Sequence, residues 1–202
     1  MPHGSLTLPA RLCLLAWDPT GTESVTARLV RAGALTELVR RGLLTDEDGI
    51  ATPADLDTLT GDPVLDGLLE LVRESLPHRW RGWVGLHARV TADAVREQLT
   101  AGGWLRAEKK RVLGVFPSVE HVLERADAVG VLRQEARGAL AGSGEVSGRE
   151  AAAAALAAAA GVPGLGPDGD RERFQERVGE LVERSGVSGV LGELCTALTP
   201  AP

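Results

Sequence analysis

The chain opens on an apolar segment, Leu6-Thr-Leu-Pro-Ala-Arg-Leu-Cys-Leu-Leu-Ala-Trp17, broken by the turn residues Asp18-Pro-Thr-Gly21. From Val25 to Leu44 apolar residues recur at Val25, Leu29, Ala32, Leu35, Leu38 and Val39. That three-and-four spacing predicts an amphipathic helix, stopped at Gly42. Asp46-Glu-Asp-Gly49 reads as a turn between two short extended pieces, and the polar stretch Thr52–Thr60 follows. The next helix opens at Thr60-Gly-Asp-Pro63, with Asp62 suited to the N-cap and Pro63 to the first turn, where a missing N–H costs nothing. Val64, Leu65, Leu68, Leu69 and Val72 form its apolar stripe, and Pro77 ends it.

Trp80 and Trp83 lead into a helix expected from about Thr91 to Ala101, stopped by Gly102-Gly103. Trp104-Leu105 starts a hairpin: Arg106–Arg111 is polar, Val112–Phe116 apolar, and Pro117 is expected to end it. The spacing of Val122, Leu123, Ala126, Val129, Leu132 and Ala136 predicts a helix over Val119–Gly138. After a loop at Gly142–Gly148, Ala151–Ala160 is helical by propensity. Gly161–Asp170 is a Gly/Pro/Asp linker, and Arg171–Ser185 and Val187–Leu198 are the last two helices. The expected fold is therefore mainly α: a helical bundle surrounded by amphipathic helices, with a small β-hairpin, in a single domain over residues 1–202.

Composition supports a packed domain and removes several alternatives. The 202 residues are 44% apolar, enough for a core. The aromatics are four Trp and two Phe, so Leu, Val and Ala must build that core, which favours helices over a sandwich. The two cysteines, Cys13 and Cys195, lie far apart without a CxxC, which argues against a disulfide scaffold and a zinc site. The first residues show no secretory pattern and no stretch reads as a membrane span, so a cytoplasmic protein is expected.

Charge changes the picture more. The chain carries a net −6. Yet Arg79, Arg81, Arg89, Arg96, Arg106, Lys109, Lys110 and Arg111 against Asp93, Glu97 and Glu108 leave residues 79–111 at +5. His78 and His87 would add to this island at low pH. Such an island attracts anions, whether lipid headgroups or phosphodiesters, although a solvated helix face has the same appearance.

No catalytic constellation accompanies it. There is no GxSxG, neither cysteine has a nearby His, and the Gly161–Gly169 run lacks the Lys-Ser/Thr of a phosphate-cradling loop. Asp62 and Asp66 lie one helical turn apart, as a helix start favours, without a companion metal ligand. No enzyme activity, cofactor or metal is expected.

Four segments in order carry a resemblance. They are Gly33-Ala-Leu-Thr-Glu-Leu-Val-Arg-Arg-Gly42-Leu; Thr60-Gly-Asp-Pro-Val-Leu-Asp66-Gly-Leu-Leu; Trp83-Val with Leu99 and Gly103-Trp-Leu; and Leu113-Gly-Val-Phe116-Pro. Together they resemble the Golgi phosphoprotein 3 family in its bacterial branch, over roughly residues 6–200. The resemblance implies a helical bundle that binds phosphatidylinositol 4-phosphate at a membrane through arginines from two helices and a loop Trp, beside an apolar hairpin that dips into the bilayer. It also implies recruitment of protein cargo. Carried over by position, the headgroup residues are Arg31 and Arg89. The third arginine position falls on Ala92, and the loop Asp18–Ser24 has no Trp, with Thr22 near the missing ring. Leu113, Val115 and Phe116 would form the membrane-inserting hairpin, and Arg79, Arg81, Arg96, Lys109, Lys110 and Arg111 a supporting basic surface.

The leading expectation is thus a cytoplasmic peripheral membrane protein at the inner face of a membrane, binding anionic phospholipid or phosphoinositide. Loss of two pocket residues favours general anionic-lipid binding over phosphoinositide selectivity. The second reading is a winged-helix-like nucleic-acid binder, because Val95–Leu105 followed by a basic-then-apolar hairpin outlines a helix and wing. A single basic island in an acidic chain counts against it. An adaptor for another protein is the third.

Overall fold

The computed structural model describes residues 6–18, 23–112, 116–142, 144–167 and 169–199, and in 109–112 and 116–118 the backbone alone. Its architecture is mainly α, with two small antiparallel hairpins. Three helices form the centre: α1 (Leu8–Leu15), α2 (Glu23–Arg40) and α7 (Gly148–Ala159). Each packs against the other two. Around them lie α3 (Pro63–Glu74), α4 (Trp80–Gly85), α5 (Ala88–Ala101), α6 (Ala126–Ala141), α8 (Arg171–Arg184) and α9 (Ser188–Leu198).

The central helices are not amphipathic, because neighbours cover them on every side. The periodicity of α2 predicted one buried stripe. Instead every residue from Leu29 to Leu38 is buried, including Arg31, Thr36 and Glu37. In α7 the small side chains Ala151 to Ala155, with Leu156 and Ala157, are all buried, and they let five helices approach it. A capping box starts this helix, with Ser147 accepting from Glu150 N and Glu150 accepting from Ser147 N. Gly33 serves the centre in the same way. A Cβ there would lie 2.5 Å from Leu12 Cδ1 and 3.2 Å from Pro9 Cα, so glycine permits α1 to cross α2 closely.

The Thr-Gly-Asp-Pro element builds a helix start rather than a reactive site. Asp62 Oδ1 accepts from Val64 N at 2.9 Å and Leu65 N at 3.1 Å. Its other oxygen accepts from Gln98 Nε2 of α5 at 2.9 Å. Asp66 accepts from Thr60 N and Thr60 Oγ1 at 2.6 and 2.7 Å, and from Gly61 N at 3.2 Å. Two carboxylates thus satisfy the backbone donors of the entry loop and tie α3 to α5. The predicted stripe Val64, Leu65, Leu68, Leu69 and Val72 is the buried face of α3.

The first hairpin follows the sequence pattern. Strands β1 (Leu44–Glu47) and β2 (Ile50–Pro53) pair through the turn at Asp48-Gly49, where both residues have positive φ. The second hairpin corrects two expectations. β3 (Leu105–Val112) pairs with β4 (Phe116–Leu123) in register Leu105↔Leu123 through Val112↔Phe116. Pro117 therefore does not end the hairpin but lies inside β4 opposite Arg111, and Val119–Leu123 is strand rather than helix. Proline at the first turn of an edge strand is tolerated because its missing N–H can face outward. Val119, Val122 and Leu123 fit a helical spacing only if the strand alternation before α6 is ignored. Ala126, expected on the apolar face of α6, is exposed at its first position, whereas Val129, Leu132 and Ala136 are buried.

The segment around the two tryptophans also differs. A short α4 precedes α5, which begins at Ala88 rather than Thr91. Trp80 and Trp83 are buried core residues of α4. Trp80 Nε1 donates to Asp46 Oδ1 at 2.5 Å, pinning α4 to the first hairpin.

Two substitutions test these packing claims by urea unfolding. Asp62→Ala should destabilise by about 1–2 kcal/mol through loss of the cap. Gly33→Ala should cost about 1–3 kcal/mol, because Leu12 can move but the Pro9 backbone must yield as well.

Candidate functional site

Arg31 sits in the middle of α2, where that helix is packed against α1, α4 and α5. It is 1% exposed. Its Nη2 donates to the backbone carbonyl of His87 at 2.7 Å, and its buried Nε and Nη1 have no hydrogen-bond partner. Among the described residues no carboxylate pairs with it. Burial pulls its pKa down to about 10 from the usual arginine value of 12.5. The guanidinium nevertheless stays cationic at neutral pH, so a full positive charge lies beneath the surface without a counter-charge. Trp83, on α4, is fully buried too, and its Nε1 has no partner.

The carbonyl that Arg31 holds belongs to the N-cap of α5. His87 has φ 52° and ψ 28°, the left-handed region, and its side chain makes no capping hydrogen bond. Two residues on, Arg89 is exposed, and its Nη2 lies 3.7 Å from Glu23 Oε2 in the first turn of α2. The first turn of α5 carries no acidic residue. Arg31, from the middle of α2, and Arg89 therefore both meet the N-terminal end of α5. The N-terminus of α5, with its partial positive charge, thus has a buried cation bonded to its N-cap carbonyl and an exposed one in its first turn. Phosphate groups are stabilised in such surroundings by charge-assisted donors.

The other sequence candidates are placed less closely together. Ala92, at the third arginine position, is buried. Arg79 is the N-cap of α4 and bridges to Ile50 of β2. Arg81 pairs with Glu193 of α9 at 3.3 Å, and Arg96 with Asp93 on its own helix at 2.8 Å. Arg106 is paired with Glu108 and Glu124. Acids distant in sequence thus neutralise part of the island that residues 79–111 display on paper. For Lys109, Lys110, Arg111 and Phe116 the backbone is placed in β3 and β4. Leu113, Val115 and Thr22 lie outside the described residues.

Neither a metal-binding cluster nor a helix long and apolar enough to cross a membrane occurs among the described residues. Both cysteines are buried free thiols, and burial raises Cys13 to about 11 and Cys195 to about 12, so neither is a poised nucleophile. A cleft of about 580 Å³ lies elsewhere, between α6, α8 and the expected linker around Gly164. There Arg137 of α6 donates to Gly164 O and holds the loop to that helix, while Arg177 of α8 donates to Ala139 O and to Glu180 and so joins α8 to α6.

The model of the family described as Golgi phosphoprotein 3 (GPP34) matches residues 8–198. The chain belongs to the Golgi phosphoprotein 3 family. No curated protein matches it significantly. The family match spans α1 to α9, so the Thr-Gly-Asp-Pro cap, the α2–α5 crossing and the second hairpin all fall inside the Golgi phosphoprotein 3 region. Sequence reasoning singled out Arg31 and Arg89 but missed the backbone of His87, which joins them. No residue pattern signals a left-handed N-cap at a histidine.

The unpaired charge makes a stability prediction. Because burial lowers the Arg31 pKa, the cost of its charge is present in full at neutral pH and lifts only as pH rises through about 10. Arg31→Met, similar in length and uncharged, should leave the urea midpoint at pH 7 no lower than that of the parent. Arg31→Ala, which leaves a cavity as well, should lower it.

Proposed function

We propose that this Golgi phosphoprotein 3 family member is a non-catalytic peripheral membrane protein that binds anionic phospholipid headgroups at the N-terminal end of α5. The observation that carries the reading is Arg31, a buried guanidinium with two unpartnered nitrogens, directly behind a helix start that exposes Arg89. A cation in a low-dielectric setting projects its field toward the surface, and an anion settling there would relieve its missing counter-charge. In this conformation Arg31 acts by charge and by holding the His87 carbonyl, while exposed Arg89 makes the contact by exchanging its loose pair with Glu23 for the headgroup.

The family resemblance points to phosphatidylinositol 4-phosphate as one such lipid. The chemistry favours broader recognition, because buried Ala92 supplies no third cation. Leu113, Val115 and Phe116, from the stretch of sequence that follows β3, are the proposed apolar insertion, with Lys109, Lys110 and Arg111 adding attraction to the same bilayer. The location that follows is the cytoplasmic face of a membrane, where the chain could hold a protein cargo.

A nucleic-acid reading has one feature in its favour: α4, α5 and the following hairpin run in the order helix, helix, wing. The outward positions of α5 oppose it, since Asp93 and Glu97 are exposed along the helix that would enter a groove. Like charges there would repel a phosphodiester backbone.

Vesicles of phosphatidylcholine with phosphatidylglycerol or phosphatidylinositol 4-phosphate provide the test, read by co-sedimentation. Binding should need the acidic lipid and weaken as salt rises. Arg89→Ala should weaken it about five-fold, near 1 kcal/mol, and the Arg31→Met/Arg89→Ala pair further. Glu23→Gln should strengthen it by freeing Arg89. Unchanged binding by the double variant, or tighter binding to random duplex DNA than to vesicles, overturns the reading.

A further inference from the structure

We propose that the side chain of His87 is a direct ligand of the phosphate group at this site, a role that rests on the lipid-binding reading above. The backbone gives the first reason. His87 is left-handed, with φ 52°, a conformation in which a side chain with a Cβ is strained and glycine is not. The other such non-glycine residue among those described is Asp48, in the two-residue turn before Gly49, where aspartate is a favoured occupant. His87 is at a helix N-cap, and its ring does not perform the usual task of that position, which is to accept from the helix amides. A strained residue that neither fills the core nor caps its helix costs stability and gives the fold nothing in return.

The second reason is what surrounds it. The His87 carbonyl is turned inward to Arg31 Nη2 at 2.7 Å. The residue itself is exposed, at the same helix start as exposed Arg89. Arg31, 1% exposed and carrying two unpartnered nitrogens, stands behind them. One hydrogen bond to the buried cation thus fixes the backbone of an exposed histidine two positions before Arg89, whose guanidinium is held only by the exposed Glu23 at 3.7 Å. An imidazole N–H and a guanidinium are both donors to a phosphate oxygen, and together with the positive end of α5 they suit a tetrahedral anion rather than a cation or an apolar group. The recognised chemistry is the phosphate of a lipid headgroup.

The experiment compares His87→Gly, His87→Arg and Arg89→Ala with the parent. It uses vesicles of phosphatidylcholine and phosphatidylinositol 4-phosphate, and thermal unfolding is measured in parallel. Glycine relieves the left-handed strain, so His87→Gly should unfold at the same or a higher temperature while binding vesicles about five-fold more weakly. His87→Arg should bind at least as tightly as the parent. A purely structural role for His87 predicts the opposite pairing, stability changed and binding not. Inorganic phosphate should release the parent from vesicles more effectively than chloride at equal ionic strength. Parent-like binding by His87→Gly while Arg89→Ala is weakened refutes the His87 assignment alone, as does equal release by chloride. A parent that binds no acidic vesicle refutes the lipid-binding reading and this assignment together.

Discussion

A single hydrogen bond, from Arg31 Nη2 to the His87 carbonyl, organises the surface end of the α2–α5 pair. A guanidinium in the middle of a buried helix is costly unless its donors are satisfied. Here one nitrogen is satisfied by backbone, and the backbone accepts a left-handed residue where it does so. Two costs are therefore coupled at one place: an unneutralised charge inside and a strained helix start above it. Neither is needed to hold the bundle together, because the leucines and alanines of α1, α2 and α7 already do that. The proposed anion site coincides with this concentration of local cost.

The rest of the molecule makes that arrangement rigid. The Asp62 cap locks α3 to α5 through Gln98, and Trp80 locks α4 to the first hairpin through Asp46. α4 and α5 are thus each tied to a further element besides α2. The connection between them, where His87 lies, has little freedom to relax its backbone. The Thr-Gly-Asp-Pro element is the most recognisable motif of the chain, and its role is this scaffolding. The proposed anion site lies where the sequence is less distinctive.

Long-range pairing also reshapes the electrostatics. A count along residues 79–111 suggests a continuous basic surface. In three dimensions Arg81 meets Glu193 and Arg106 meets Glu124, so part of that charge is balanced by acids that are remote in the chain. Within that stretch Arg89 is held only loosely by an exposed glutamate 3.7 Å away, and Arg31, from outside it, adds a buried charge without a counter-ion among the described residues. Exposed pairs of that kind contribute little and exchange readily for a stronger anion.

The sequence alone determined the mainly helical class, the first hairpin, the α3 cap with its buried stripe, and the last two helices. Each of these is written in local chemistry: side-chain period, capping residues and turn residues acting within a few positions. It also placed Arg31 and Arg89 as a pair through resemblance. Tertiary structure decided that α2 is covered on all sides, because burial by neighbours leaves no mark on one helix's own period. It decided that Val119–Leu123 pairs as a strand, since partnership with β3 overrides a spacing that a helix could share. And it decided that Arg31 would be interior and His87 left-handed, because both follow from where two separate helices cross.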